Sequence, residues 1–157
     1  MNQRAIKKHL TYMIPQIKLA LIRERDDDPV PISTPEDLLP FLEPLRHAPE
    51  EYFVAFHLDV RNRVIGFAEV SHGTLSSSLV HPREVFKAAI LSNSHAIIVA
   101  HNHPSGSTNP SDEDITTTRQ LVSAGRIMGI NLIDHLIVTD KELISIRQDN
   151  RRLFEDN

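Results

Sequence analysis

The sequence predicts a mixed α/β layer, one β-sheet with helices packed against it. Short apolar runs of strand length alternate along the chain with longer stretches of helical period. One run, "HAIIVAH", is apolar almost throughout, as a strand buried on both faces must be. With 157 residues, 40% of them hydrophobic, the chain can bury one core without covalent staples.

Residues 3–24 set Leu10, Met13, Ile14, Ile17, Ala20 and Leu21 on one helical stripe, which Pro15 should kink. That stripe is expected to pack on the domain or on a second copy of the chain, so it is the candidate oligomer contact. Asp26 to Asp28 follow it directly, which argues against a membrane-surface helix. "RERDDDPVPIS" reads as a solvated linker. Residues 1–32 are therefore read as helix and linker, 33–150 as the domain and 151–157 as a tail. "STPEDLLPFLEPL" begins a helix: a Ser or Thr cap, Pro35 at the first position and acids in the first turn, with Pro40 and Pro44 keeping it short. "EYFVAFHLD", "VRN" and "RVIGFAEV" predict a strand, a turn and a strand, forming a hairpin. "GTLSSSLVH" reads as a weaker extended segment. A helix should start at Pro82 and turn Val85, Phe86, Ala89 and Ile90 inward. "HAIIVAH" is a strand ending near Ala100. A helix from about Asp112 to Met128 is closed by Gly129. "INLIDHLIVTD" and "ELISIRQ" supply the last strands.

Composition removes several classes of function. The chain has no cysteine, so disulfides, thiolate metal sites and cysteine nucleophiles are excluded. That composition fits a reducing compartment, and the cytoplasm is the expected location. No apolar stretch approaches the roughly 18 residues of a membrane span. The first residues lack the continuous apolar core and cleavage site of a secretory signal. The net charge of -4 makes the chain a poor electrostatic partner for a nucleic-acid backbone.

The chemistry concentrates in "AHNHPSGSTNPSDED". Residues two apart on an extended chain point to one side, so His101 and His103 can converge at the end of a central strand. Pro104, Gly106 and Pro110 turn the chain and open the next helix, whose acidic first turn returns toward the histidines. Two imidazoles and the Asp114 carboxylate, with a fourth position for water, have the layout of a catalytic zinc site. A second reading stands beside this one. Ser111 and Asp114 also match a capping box, and Asp112, Glu113 and Asp114 suit a helix N-terminus through its dipole. One carboxylate is not expected to do both jobs fully, and spacing alone leaves both readings open.

The string H-x-H-P, with seven residues from the second His to Ser and two more to Asp, resembles the JAMM motif of the JAB/MPN metalloprotease superfamily. His101, His103, Pro104, Ser111 and Asp114 match it position by position. The wider text "AHNHPSG…PS..D", with "GTL…VHPREVFKAAI" before it and "LIDHLIV" after it, is similar to the RadC-like branch in particular, from about Ser33 to Arg147. The resemblance implies a cytidine-deaminase-like JAB/MPN fold and a zinc-dependent hydrolase, a metallopeptidase or isopeptidase acting on peptide or protein. It implies that His101, His103 and Asp114 bind Zn2+ and that Ser111 helps hold an oxyanion. An upstream glutamate serves the family as general base, and Glu51, at the head of "EYFVAFHLD", is the match. Glu50, Glu69 and Glu84 lie in the same region, and Glu69 is the reserve.

His81 and His135 sit in family-like text, either as structural histidines or as residues that orient the ligands. Two other functions are carried forward: a DNA-associated repair or recombination accessory, and a non-catalytic MPN interaction module. The first 30 residues have no glycine and are too short for the paired helix-hairpin-helix region of longer RadC-like proteins. A zinc nucleobase deaminase is disfavoured because it needs cysteines.

Overall fold

Strand formation is dictated by the apolar runs, and the order in which they pair sets where the site lies. The computed structural model describes residues 29–73 and 80–155. The N-terminal stripe and most of "GTLSSSLVH" lie outside them. β1 (Glu51–Leu58), β2 (Val64–Gly73), β3 (Ala96–Asn102), β4 (Asn131–Val138) and β5 (Leu143–Ser145) form one sheet in the order β2-β1-β3-β4-β5. β3 and β4 run parallel, and the other neighbouring pairs run antiparallel. The expected mixed sheet with flanking helices is what forms.

The two faces of the sheet are covered differently. A 3-10 turn, Pro35–Leu38, leads into α1 (Leu39–Arg46), and their Leu38 and Leu42 bury against Val54, Phe56, Ile98 and Leu136. On the opposite face, α2 (Pro82–Leu91) and α3 (Asp112–Met128) bury Val85, Phe86, Ala89 and Leu121 against Phe53, Ala55, Ile97 and Val99. β3 is thus buried along its whole length. A parallel pair cannot be joined by a tight turn, so the chain leaves β3, crosses through α3 and returns on β4. Gly129 ends α3 in the left-handed region at φ 68°, where glycine bears no side-chain clash.

Several local expectations change. The strand carrying the histidines runs to Asn102, because Asn102 still pairs with Val138 of β4. "ELISIRQ" is strand only to Ser145, and Ile146–Asp149 form a short helix, α4. Ser145 explains the break: its Oγ accepts from the Gln148 amide at 3.0 Å and donates to the buried Asp134 carboxylate at 2.6 Å. Ile90 was expected to face inward but is 53% exposed, since it falls at the rim of a stripe that Val85, Phe86 and Ala89 already fill. The end of the presumed linker is not solvated throughout. Ile32 is buried, its amide donates to the Asn62 carbonyl at 2.8 Å, and Val30 accepts from the Val64 amide at 2.8 Å. At the other end, Phe154 packs against the α2/α3 core.

Candidate metal centre

His101 is placed by the β-ladder and His103 by the turn after it. His101 lies directly opposite Phe53 on β1, and the two rings stack with centroids 6.0 Å apart. His103 follows the last strand residue, and its amide still donates to the Val138 carbonyl at 2.9 Å. Asp114 comes from the first turn of α3. Each of the three offers a ligand atom, and all of these atoms lie within 4.8 Å of one another. Among the described residues no other such cluster of His, Asp or Glu occurs.

Hydrogen bonds fix which ring atoms converge. The Thr118 hydroxyl donates to the Asp114 backbone carbonyl at 2.6 Å, so its oxygen accepts from His135 Nδ1, also at 2.6 Å. His135 Nε2 is then the lone-pair side and accepts from His101 Nδ1 at 2.8 Å. The Ser107 carbonyl, which can only accept, takes a hydrogen bond from His103 Nδ1 at 2.8 Å. Both Nε2 atoms are therefore left facing each other, 3.0 Å apart. Two imidazole lone pairs at that distance are stable only with a proton or a metal cation between them. Two imidazole nitrogens and one carboxylate oxygen are a donor set that zinc accepts, so the residues present fit the ion.

Asp114 closes the helix cap and still faces both histidines. Its Oδ1 lies 3.1 Å from His101 Nε2. Its Oδ2 lies 3.5 Å from His103 Nε2 and accepts from the Ser111 amide and hydroxyl, each at 2.7 Å. Ser111 Oγ in turn accepts from the Asp114 amide at 3.1 Å, closing the capping box. A carboxylate has two oxygens: here Oδ1 faces His101 alone, while Oδ2 serves the cap and also faces His103. Burial alone pushes the Asp114 carboxyl up, but the hydrogen bonds from His101 and His103, the His101 charge and the Ser111 amide hold it well below the ordinary carboxylate range. The hydrogen bond to Asp114 raises the His103 pKa. Burial opposes that rise, and the Ser107 carbonyl and the charges of Asp114 and Glu51 reinforce it.

The cluster opens on a cavity of about 470 Å³ that Glu51, Phe53, Ser111, Glu113 and Thr117 also line. Glu51 lies two residues before Phe53 and so shares the face of His101. Glu69 does not join them. It pairs with Val54, whose side chain packs on the α1 face, and its carboxylate bonds the exposed His72 at 2.7 Å. Glu84 is taken up by Lys87 at 2.6 Å. His81 is structural, since its Nδ1 caps α2 by accepting from the Arg83 amide at 3.0 Å. His135 is not bland in the same way: it is fully buried and holds His101. Burial, above all, pushes its ring well below the usual histidine range. Thr118 and Asn102 were not singled out from the sequence. Thr118 lies one helical turn after Asp114, where i, i+4 spacing could have flagged it.

Residues 32–152 match the family described as "RadC-like JAB domain". Among curated proteins, the chain is similar to the UPF0758 protein of Desulfitobacterium hafniense (strain DSM 10664 / DCB-2), 47% identical over 118 residues that cover 74% of this chain and 52% of that protein. The UPF0758 protein of Staphylococcus carnosus (strain TM300) is 49% identical over 121 residues, 76% of this chain and 54% of its own length. That of Methanosarcina mazei is 41% identical over 119 residues, 75% and 52% respectively. The chain spans about half the length of the curated relatives it matches.

Proposed function

Since the chain belongs to the RadC-like JAB domain family, we propose that it is a zinc-dependent hydrolase of amide bonds, a metallopeptidase or isopeptidase acting on peptide or protein. The observation that carries this reading is the convergence of His101 Nε2, His103 Nε2 and Asp114 Oδ1 at the mouth of a cavity. These three side chains would hold the ion. An ion held there would make water nucleophilic near neutral pH and would polarise a carbonyl.

The remaining work falls to residues of the chain. The Glu51 carboxylate, on the same face as His101, takes the proton of the attacking water and later hands it to the leaving amine. The Ser111 hydroxyl donates to Asp114. To steady an oxyanion it must turn from that acceptor toward the cavity, while its backbone amide keeps the cap. His135 and the Ser107 carbonyl keep the two ligand rings oriented. Among the described residues that line the cavity, the charged side chains other than histidine are Glu51, Glu113 and Asp114, with no Lys or Arg. That balance favours an amide over a phosphodiester as the substrate.

The test is elemental analysis of the purified chain, together with a screen of peptides, isopeptides and nucleic acids against zinc-loaded protein. One zinc per chain, lost in the His101→Ala/His103→Ala double variant, and cleavage slowed by about 100- to 10,000-fold in Glu51→Gln are the expected results. A folded chain without zinc or cleavage would instead be an interaction module. Salt-dependent DNA binding would support the nucleic-acid role.

A further inference from the structure

We propose that Asn102, the residue between the two histidines, is the positioning residue for Glu51; this rests on the hydrolase reading above. Asn102 is 1% exposed, and its side chain reaches across to the chain that enters β1. The backbone ladder between β1 and β3 ends at the pair Phe53↔His101. Beyond it no further backbone pair is formed between β1 and β3 at Tyr52. There Asn102 Oδ1 accepts from the Tyr52 amide at 2.7 Å. Asn102 Nδ2 donates to the Glu50 carbonyl at 2.9 Å and lies 3.5 Å from that of Ala48.

These two bonds straddle Glu51. One fixes the peptide group before it and the other the peptide group after it, so the direction of its Cα–Cβ bond is set. A primary amide is the side-chain group of this length that offers an acceptor and donors together. Aspartate keeps the acceptor and turns a carboxylate toward the Glu50 carbonyl; alanine leaves the Tyr52 amide and that carbonyl without their partner. The same strand end that aims His101 into the cavity therefore also aims the carboxylate that faces it. Ligand and base are registered to each other by one residue.

Two measurements on the full chain decide the matter. In Asn102→Ala, exchange of the Tyr52 amide should speed at least about tenfold, while amides of α3 keep their rates. Zinc stoichiometry should stay at one per chain. With a random peptide library as probe, the cleavage rate of zinc-loaded Asn102→Ala should fall by about 100-fold, within the range that a general base contributes. The Asn102→Ala/Glu51→Gln double variant should be no slower than Glu51→Gln alone, because both changes remove the same function. Unchanged Tyr52 exchange, or a double variant slower by the full product of the two losses, overturns the inference. Absence of zinc and of cleavage in the unaltered chain overturns the hydrolase reading instead, and the exchange comparison still decides whether Asn102 holds the Glu51 segment.

Discussion

His101 Nδ1 lies 2.8 Å from His135 Nε2, and this contact decides which nitrogen of His101 faces the cavity. Replacing His135 by leucine removes the acceptor and frees the ring to turn. Loss of a partner behind a metal-binding histidine typically weakens affinity by about 10–100-fold. A zinc titration against a chromophoric chelator should show a drop of that size, with a smaller drop for Thr118→Val. Affinity equal to that of the unaltered chain would remove His135 from the site.

His103 gives the metal-free chain a pH signature. Its folded pKa is raised, first by the hydrogen bond to Asp114, so its stabilising contribution is complete below about pH 6.5 and is lost as pH rises through the folded value. A metal must displace that same proton, so zinc affinity should climb across this interval and level off above it. Isothermal titration at stepped pH checks the affinity. Thermal melts of metal-free Asp114→Asn should lack the added stability on the acid side.

Neither ring nitrogen of His57 has a hydrogen-bond partner among the described residues, and burial pushes its pKa down to about 4. The unfolded chain takes up this proton near pH 6.5 and the folded chain only near 4. Stability should therefore decline as pH falls through that window, by at most about 1.4 kcal/mol per pH unit from this residue. His57→Leu should be more stable at pH 7 by about 1 kcal/mol, because an unsatisfied polar group is removed. Urea midpoints at stepped pH should decline less steeply in the variant, and parallel slopes would refute this account.

Gly125 lets α3 lie close to β4. A Cβ there would sit 2.5 Å from the Ile130 carbonyl oxygen and 3.2 Å from Phe86 Cζ. The first of these contacts is backbone and cannot swing aside. Gly125→Ala should destabilise the fold by about 1–3 kcal/mol, as overpacked cores do. Calorimetric melting would show it, and an unchanged midpoint would mean that the helix can shift without cost.

The candidate ligands were legible because they lie on one continuous stretch, His101 to Asp114, whose prolines and glycine announce the turn. The candidate general base was harder to read because its selection depends on sheet register. Phe53 pairs with Ser71, but Val54 pairs with Glu69, so Val70 is an extra residue in β2. Without that bulge Glu69 would stand opposite Ala55 and face the histidine side. No local pattern in "RVIGFAEV" signals the extra residue. Asn102 and Thr118 escaped notice, and the role of His135 stayed open, for a related reason. Each acts on a partner brought to it by the sheet or the crossover, and periodicity describes only a residue's own element. The expectation for Asp114 treated the carboxylate as a single point, whereas its two oxygens let it close the cap while facing both histidines.

The anchoring of the three candidate ligand side chains bears on the thermodynamics of loading any ion there. Asp114 is held by the Ser111 amide and hydroxyl, His103 by Ser107 and His101 by His135, all through contacts internal to the chain. Immobilising a free side chain typically costs about 0.5–1.5 kcal/mol of entropy on binding. Here folding has already removed most of that freedom. Uptake of an ion should then leave the heat capacity nearly unchanged, with a signal set by ligation and proton release and little from ordering of the chain.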